Sequence, residues 1–336
     1  MHPPTPPKRS AVIAATGSSV PSRTVPNAWF NEQLGEDVDT WLRQNVAIES
    51  RHWCADDESV ADLAEAAARQ ALERANLPAS NVQLIIVATD TPEYISPSTA
   101  SVLQHRLGAT QAGTFDLNTA CAGFVTALDV AAKYIMADAQ YHHILVVGAY
   151  AMSKHLNMAD KKTVTLFADG AGAVVLSAQT NTSRGFLASA LHTEGQYHGW
   201  MGIYAGGARQ PVNAAAIDKH DHQLKFVHRF PKELNPKVWT QMVHDLCARL
   251  QTTPSQVQQY LVTQLNINAI RETMDNLGLG MDRAHSIMQQ NGYTGSACIP
   301  MALDDAVQQG KVAPGDLLFL IGSGGGLAFA AAAIKF

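Results

Sequence analysis

Cys121 is the residue whose type and setting most directly offer chemistry, in the stretch Asp116-Leu117-Asn118-Thr119-Ala120-Cys121-Ala122-Gly123-Phe124. Ahead of it, Gly113 to Leu117 reads as a short strand. Behind it, Phe124 to Ala139 places Leu128, Val130, Ala131, Tyr134 and Ile135 at helical spacing. Cys121 is therefore expected at a strand-to-helix junction, flanked by Ala and Gly with little side-chain bulk. A thiol at a helix N-terminus feels unpaired backbone N–H groups and the positive end of the helix dipole, and both favour the nucleophilic thiolate. A small buried Cys in a tight turn fits the same spacing, so spacing alone leaves both readings open.

The rest of the chain limits the alternatives. A length of 336 residues suits two domains or one large one. A formal charge of -5, with only 16% charged residues, argues against nucleic acid as the main partner. Cys54, Cys121, Cys247 and Cys298 are scattered without a CxxC pair, so neither a zinc site nor a disulfide framework is expected, and a reducing cytoplasm fits. Met1 to Ser10 is Pro-rich and polar, unlike a signal peptide. Ile144–Val147 and Leu317–Ile321 are strand-length, far short of a membrane span.

Several elements must position Cys121. Strands are expected at Ala11–Ala15, Val82–Ala88 and His143–Val147, and helices over Val60–Ala75, from Pro97 and Ser98 through Leu107, and over Pro236–Arg249. Trp41 to Trp53 mixes aromatic and basic residues, as a surface or ligand mouth would. Thr163–Phe167 and Gly172–Leu176 read as a strand pair flanking a tight Asp169-Gly170-Ala171-Gly172 turn. Residues 178–235 are polar, Gly- and His-rich, and read as an irregular cap. Beyond them the first pattern returns. Val257–Thr263 parallels Val82–Ala88, and each is followed by a helix, here Ile267–Leu277. Asp316–Ile321, ending in Gly322-Ser323-Gly324-Gly325-Gly326, parallels His143–Val147, ending in Gly148, and Leu327–Ile334 parallels Gly172–Leu176. This predicts an α/β fold of two similar halves, residues 1–177 and 236–336, separated by the cap.

Thr119-Ala120-Cys121-Ala122-Gly123-Phe124, Phe167-Ala168-Asp169-Gly170-Ala171-Gly172-Ala173-Val174-Val175-Leu176 and Gly324-Gly325-Gly326 together make the chain resemble a ketoacyl-ACP synthase III of the thiolase superfamily. The resemblance is collinear from about residue 10 to the last. It implies the duplicated thiolase-like fold in five layers (αβαβα), a homodimer, and an acyl thioester on Cys121 drawn from acyl-CoA or an acyl carrier protein. It implies no cofactor and no metal. Gly325 falls at the motif position whose N–H joins that of Cys121 in the family to receive the tetrahedral oxyanion.

Two family positions are changed. The His of a Pro-His-Gln-Ala-Asn motif falls on Gln264, in Thr263-Gln264-Leu265-Asn266, and the Asn of Gly-Asn-Thr-Ser falls on Tyr293, in Gly292-Tyr293-Thr294-Gly295. In the family these residues decarboxylate malonyl-ACP and stabilise its enolate. Gln is no general base, though its amide donates. A phenol with a pKa of about 10 is a poor base at neutral pH but also donates. Two neutral donors are thus expected to polarise a thioester carbonyl, with His285 as an alternative base. The His220, His222 and His228 group reads as solvated cap rather than metal site. At the expected CoA entrance Trp41 matches the family, Asn45 replaces an Arg and Lys161 replaces a second Arg. A basic docking residue falls on Ala269, and an aromatic gate from the partner subunit falls near Ser96.

The expected function is an acyltransferase of the ketoacyl-ACP synthase III type in fatty-acid or secondary-metabolite biosynthesis. It passes the acyl group from Cys121 to a second substrate, by C–C condensation or by ester or amide formation. The alternative is a non-catalytic partner subunit of a heterodimeric ketosynthase-like complex, against which the retained Cys121 speaks.

Overall fold

The computed structural model describes residues 9–336; residues 1–8, most of the Pro-rich segment read above, lie outside the described residues. Two sheets carry the molecule. The first is built from β1 (Arg9–Ser19), β2 (Leu84–Ala88), β3 (Gly113–Leu117), β4 (His143–Ala151) and β5 (Asp169–Thr180), in the order β1-β5-β4-β2-β3. The second holds β6 (Gly185–Thr193), β7 (Gln259–Val262), β8 (Leu317–Gly324) and β9 (Ala328–Lys335), in the order β7-β8-β9-β6. Parallel pairing of β2 with β4 is matched by β7 with β8. The antiparallel pairs β4–β5 and β5–β1 are matched by β8–β9 and β9–β6. Even β3, parallel to β2, has a remnant counterpart in the single parallel bridge of Ala284 to Tyr260 on β7. The repeat seen in the sequence is a repeat of topology.

Helices fill three further layers, giving the five-layer αβαβα arrangement. Outside the first sheet lie α1 (Val60–Arg74) and α2 (Thr99–Leu107). Between the sheets lie α3 (Gly123–Ala137) and α6 (Cys298–Gln308). Outside the second sheet lie α4 (Leu234–Leu250) and α5 (Ile267–Asn276). Strand alternation assigns each side chain to a layer. On β2, Ile85 and Val87 join the outer core with α1 and α2, whereas Ile86 and Ala88 join the central core with α3 and α6. The window Ala120–Ala137 is long and apolar enough to cross a membrane by composition. Here it touches strands of both sheets, which is why it is apolar on nearly every side.

Two expectations are corrected. Asp169-Gly170-Ala171-Gly172 is no turn but the start of β5, and Thr163–Phe167 begins in a helical turn, Lys161–Val164, rather than a strand. The glycines serve close packing: a Cβ on Gly172 would lie 2.6 Å from Met301 N, and one on Gly148 2.4 Å from Ser296 O. The strand backbone thus takes α6 and the loop before it directly on its face, and Gly signals a backbone contact as readily as a turn. Within the stretch read as cap, β6 pairs with β9 as β1 pairs with β5. Its Ala-, Ser- and His-containing sequence lacks the β-branched signature of a strand. The remainder of the cap carries short elements, among them the Met201–Gly202 and Lys225–Phe226 pair and the helical turn Ala214–Asp218.

Gly172→Ala is expected to cost about 1–3 kcal/mol in urea unfolding, the usual range for overpacking. Gly207→Ala, where an added Cβ meets nothing within 4 Å, serves as the unaffected reference.

Candidate active site

The Cys121 turn is shaped by its neighbours on both sides. β3 ends at Leu117, and Ala120 takes a left-handed conformation with φ 47°, which costs a non-glycine residue about 1–2 kcal/mol. Asn118 Oδ1 offsets part of that by accepting from Ala120 N at 2.9 Å, and Ala120 O accepts from Gly123 N at 2.8 Å. From the other half, β8 lies against the turn through two glycines. A Cβ on Gly324 would sit 2.4 Å from Cys121 N and 2.8 Å from Thr119 O, and one on Gly322 2.8 Å from Ala122 Cα. Gly325 therefore follows, by one residue, a backbone in direct contact with the nucleophile. Cys121 itself is 3% exposed.

Tyr293 reaches the same place from the loop before α6. Its backbone forms a bridge to Phe167, donating to Leu166 O and accepting from Ala168 N, each at 2.9 Å. The ring packs on Phe167 at 5.3 Å, and the phenol lies beside the Cys121 thiol. Gly292 must be glycine: its φ is +63°, and a Cβ would meet Arg51 Cβ at 2.7 Å. Arg51 is wholly buried and donates to Val25 O, Asn27 Oδ1 and Thr165 O, fixing the wall on which this loop rests. Gly295, φ +49°, yields its side-chain space to the Tyr150 ring, 2.4 Å from where its Cβ would be.

The electrostatics differ from the expectation of a thiolate. Burial pushes the Cys121 thiol well above its ordinary value, the Asp90 charge adds to that, and the Tyr293 phenol opposes it. A helix N-terminus contributes about 0.3–1 kcal/mol, up to ~2 in buried settings, whereas desolvating a charge costs several kcal/mol. The resting thiol is protonated. Burial likewise pushes the Tyr293 phenol well up, so it is a neutral donor, and lifts Cys298 to about 12.

The two other groups expected beside Cys121 have hydrogen-bond partners of their own. Gln264, buried at the end of β7, donates from Nε2 to His285 O (3.1 Å) and accepts at Oε1 from Ile287 N (2.8 Å). It braces the segment leading to Tyr293, using one of its two amide hydrogens. His285, the alternative base expected, has charged neighbours of its own. Its Nε2 meets Asp305 Oδ2 at 2.6 Å and its Nδ1 lies 3.3 Å from Lys311 Nζ, so Nε2 carries the proton and Nδ1 accepts. Burial holds this imidazole below its ordinary value, with Asp305 opposing and Lys311 assisting.

At the surface, Trp41 is 54% exposed on the helix Asp39–Asn45. Asn45 caps that helix by donating to Trp41 O at 2.9 Å. Lys161 Nζ grips both Glu36 carboxylate oxygens, at 2.8 and 2.9 Å, just ahead of the same helix. Trp41 and Asn45, four residues apart, share a face of that helix, and Glu36 brings Lys161 near its start. Ala269 is buried in α5, and beside Ser96 the large side chains Tyr94 and Ile95 are exposed. His220 stacks on His222, while His228 packs on Trp200. Asp90, Tyr150 and Cys298, which sequence reasoning passed over, belong to the cluster around Cys121. The signal for two of them lay in strand parity, since Asp90 continues Ile86 and Ala88, and Tyr150 continues Val146 and Gly148.

The 3-oxoacyl-[acyl-carrier-protein (ACP)] synthase III model matches residues 115–195, and its C-terminal counterpart matches residues 247–336. Beta-ketoacyl-[acyl-carrier-protein] synthase III of Dinoroseobacter shibae is 35% identical over 98% of this chain and 99% of its own. The acetoacetyl CoA synthase NphT7 of a Streptomyces species is 37% identical over 96% and 98%. Among solved structures, 3-oxoacyl-(acyl carrier protein) synthase III from Pseudomonas aeruginosa PAO1 superposes with a TM-score of 0.88 at 29% identity, covering 97% of this chain and 98% of that one. With a nucleophile turn held between two equivalent halves and this identity over nearly its whole length, the chain belongs to the 3-oxoacyl-[acyl-carrier-protein] synthase III family.

Proposed function

We propose that this acyl-transferring condensing enzyme of fatty-acid or secondary metabolism carries its acyl group on Cys121 and uses Tyr293 where its family uses Asn. The Cys121 sulfur attacks the carbonyl of an acyl-CoA or acyl-carrier-protein thioester. The N–H groups of Cys121 and Gly325 receive the oxyanion, the donor thiol leaves, and a second substrate then takes the acyl group. The observation that carries this reading is the Tyr293 phenol lying beside the Cys121 thiol.

With Gln264 and Tyr293 at the family's His and Asn positions, malonyl decarboxylation loses both its helpers. The acceptor we infer is already acidic or nucleophilic: a β-keto compound, a hydroxyl or an amine. Trp41, Asn45 and Lys161 form the donor's docking face, with Lys161 exchanging Glu36 for a phosphate. Exposed Tyr94 and Ile95, next to the position of the cross-subunit gate, support a homodimer. Four free cysteines accord with the cytoplasm.

Intact mass spectrometry after incubation with a panel of acyl-CoA and acyl-carrier-protein thioesters is expected to show a mass gain that Cys121→Ala abolishes. No gain from any donor would favour the partner-subunit alternative. Tyr293→Phe removes a donor that favours the thiolate, so the Cys121 pKa rises and iodoacetamide alkylation at fixed pH slows. Acyl transfer is expected to fall about ten- to a hundredfold, the range for a hydrogen bond to a charged group. Unchanged transfer would exclude the phenol from the reaction.

A further inference from the structure

Two residues past the end of β2, a carboxylate stands in the Cys121 cluster with one oxygen unpartnered. The alternation of β2 runs on beyond the strand. Thr89 N donates to Leu117 O at 3.1 Å, Thr91 N to Thr89 Oγ1 at 3.1 Å, and Ala151 N to Thr91 Oγ1 at 2.9 Å. Thr89 and Thr91 are thereby buried between the ends of β3 and β4, in phase with Ile85 and Val87. Asp90 is left in phase with Ile86 and Ala88, on the central side of the sheet where Ala88 adjoins Gly123 at the start of α3. Its Oδ1 is closed to solvent and accepts no hydrogen bond, and no Lys or Arg among the described residues pairs with it. The titratable groups facing it are Cys121, from the turn before α3, and Tyr150, from β4. Tyr293 and Cys298 act on Cys121 from the α6 side, and Asp169 acts on Tyr150 from β5. Asp116 and Asp169, by contrast, are held by backbone N–H groups and have structural work. Asp90 has none.

We propose that Asp90 is the proton acceptor of this site, in place of the family's His; this rests on Cys121 being the acyl carrier. In acylation the thiol proton passes to the Asp90 carboxylate as sulfur bonds to the thioester carbon. The proton then passes to the donor's departing thiolate as its C–S bond breaks. In transfer the acceptor's C–H, O–H or N–H proton goes to Asp90 as the acceptor attacks the acyl carbon. Asp90 returns it to the Cys121 sulfur as that sulfur leaves. Each step conserves protons and electron pairs and needs no further reagent. The pocket holds one negative charge at a time, on Asp90 or on sulfur. Two would repel in a medium of low dielectric. Burial lifts the Asp90 carboxyl from its ordinary 3.8 to about 6, which suits a base working near neutrality.

The test compares the unaltered protein with Asp90→Asn and Asp90→Glu, using acetyl-CoA and hexanoyl-CoA as acyl donors and iodoacetamide as a donor-independent probe. Asp90→Asn is expected to slow acylation of Cys121 at least tenfold and to erase its acidic limb near pH 6. It is also expected to speed iodoacetamide alkylation, because removing a negative charge lowers the thiol pKa. Asp90→Glu should restore part of the acylation rate. A carboxyl raised in the fold contributes its stability below its unfolded pKa and loses it as pH rises through about 6. The thermal midpoint of Asp90→Asn should therefore exceed that of the unaltered protein at pH 8 and equal it at pH 4, which also rules out misfolding as the cause of slow acylation. An Asn variant with unaltered rates and pH profile would overturn the proposal. So would a raised KM for the donor with unchanged kcat, which marks a binding role. If the unaltered protein gains no mass from either donor, the acyl-carrier reading is what fails, and the proposal falls with it.

Discussion

The contact on which the site depends is backbone against backbone: β8 lying on the Cys121 turn through Gly322 and Gly324. Any side chain at either position would drive the second half of the molecule off the first, and the turn would lose the wall that holds Ala120 in its left-handed conformation. The same device recurs where Gly148 and Gly172 accept the Ser296–Met301 segment. The central layer is thus gripped from both sheets by strands stripped of side chains at the contact points. This fixes the start of α3 and the start of α6 relative to each other. Since Cys121 precedes one and Tyr293 the other, the duplication itself brings thiol and phenol together.

That closeness has an electrostatic consequence. A site packed to exclude water strengthens every charge–charge interaction and makes an unshared charge costly. Cys121, Tyr293, Tyr150 and Cys298 are all pushed towards their neutral forms, first of all by burial. The helix N-terminus behind Cys121 is too weak to reverse this. Ionisation in the pocket therefore has to be managed by groups that share a proton, rather than by a standing thiolate.

The sequence was most readable where one chemical reason governed each residue. Cys121 between small residues, the halves repeating strand for strand, and apolar α3 follow from spacing and periodicity. It was least readable where a residue type serves two physical ends. Glycines at 170 and 172 meant close packing and not a turn. Gln264 and His285 kept polar groups at positions that invite catalysis, yet both bind their own surroundings: Gln264 the 285–287 backbone, His285 Asp305 and Lys311. β6 escaped because its strand character comes from pairing with β9, not from its own propensity. Asp90 escaped because it lies outside any motif, and only the parity of β2 carried to its end points it at Cys121.

Tyr293 and Gly295, in the Gly292-Tyr293-Thr294-Gly295 stretch, pack as one physical unit. A ring at Tyr293 fills the space before the thiol and packs on Phe167, which in turn lies 6.5 Å from Tyr150. Tyr150 occupies the volume that any side chain at residue 295 would claim, so Gly295 is the counterpart of that ring. The pocket wall is thus aromatic as a unit, through Tyr293, Phe167 and Tyr150. Truncating one of these rings leaves a hole, and a side chain at 295 makes a clash, so none of them changes without its neighbours repacking. An aromatic wall offers hydroxyl donors but no acceptor of a proton at neutral pH, and it excludes water that would otherwise solvate a thiolate. The enclosure of the thiol by phenols therefore places one demand on the pocket: an ionisable group that titrates near neutrality.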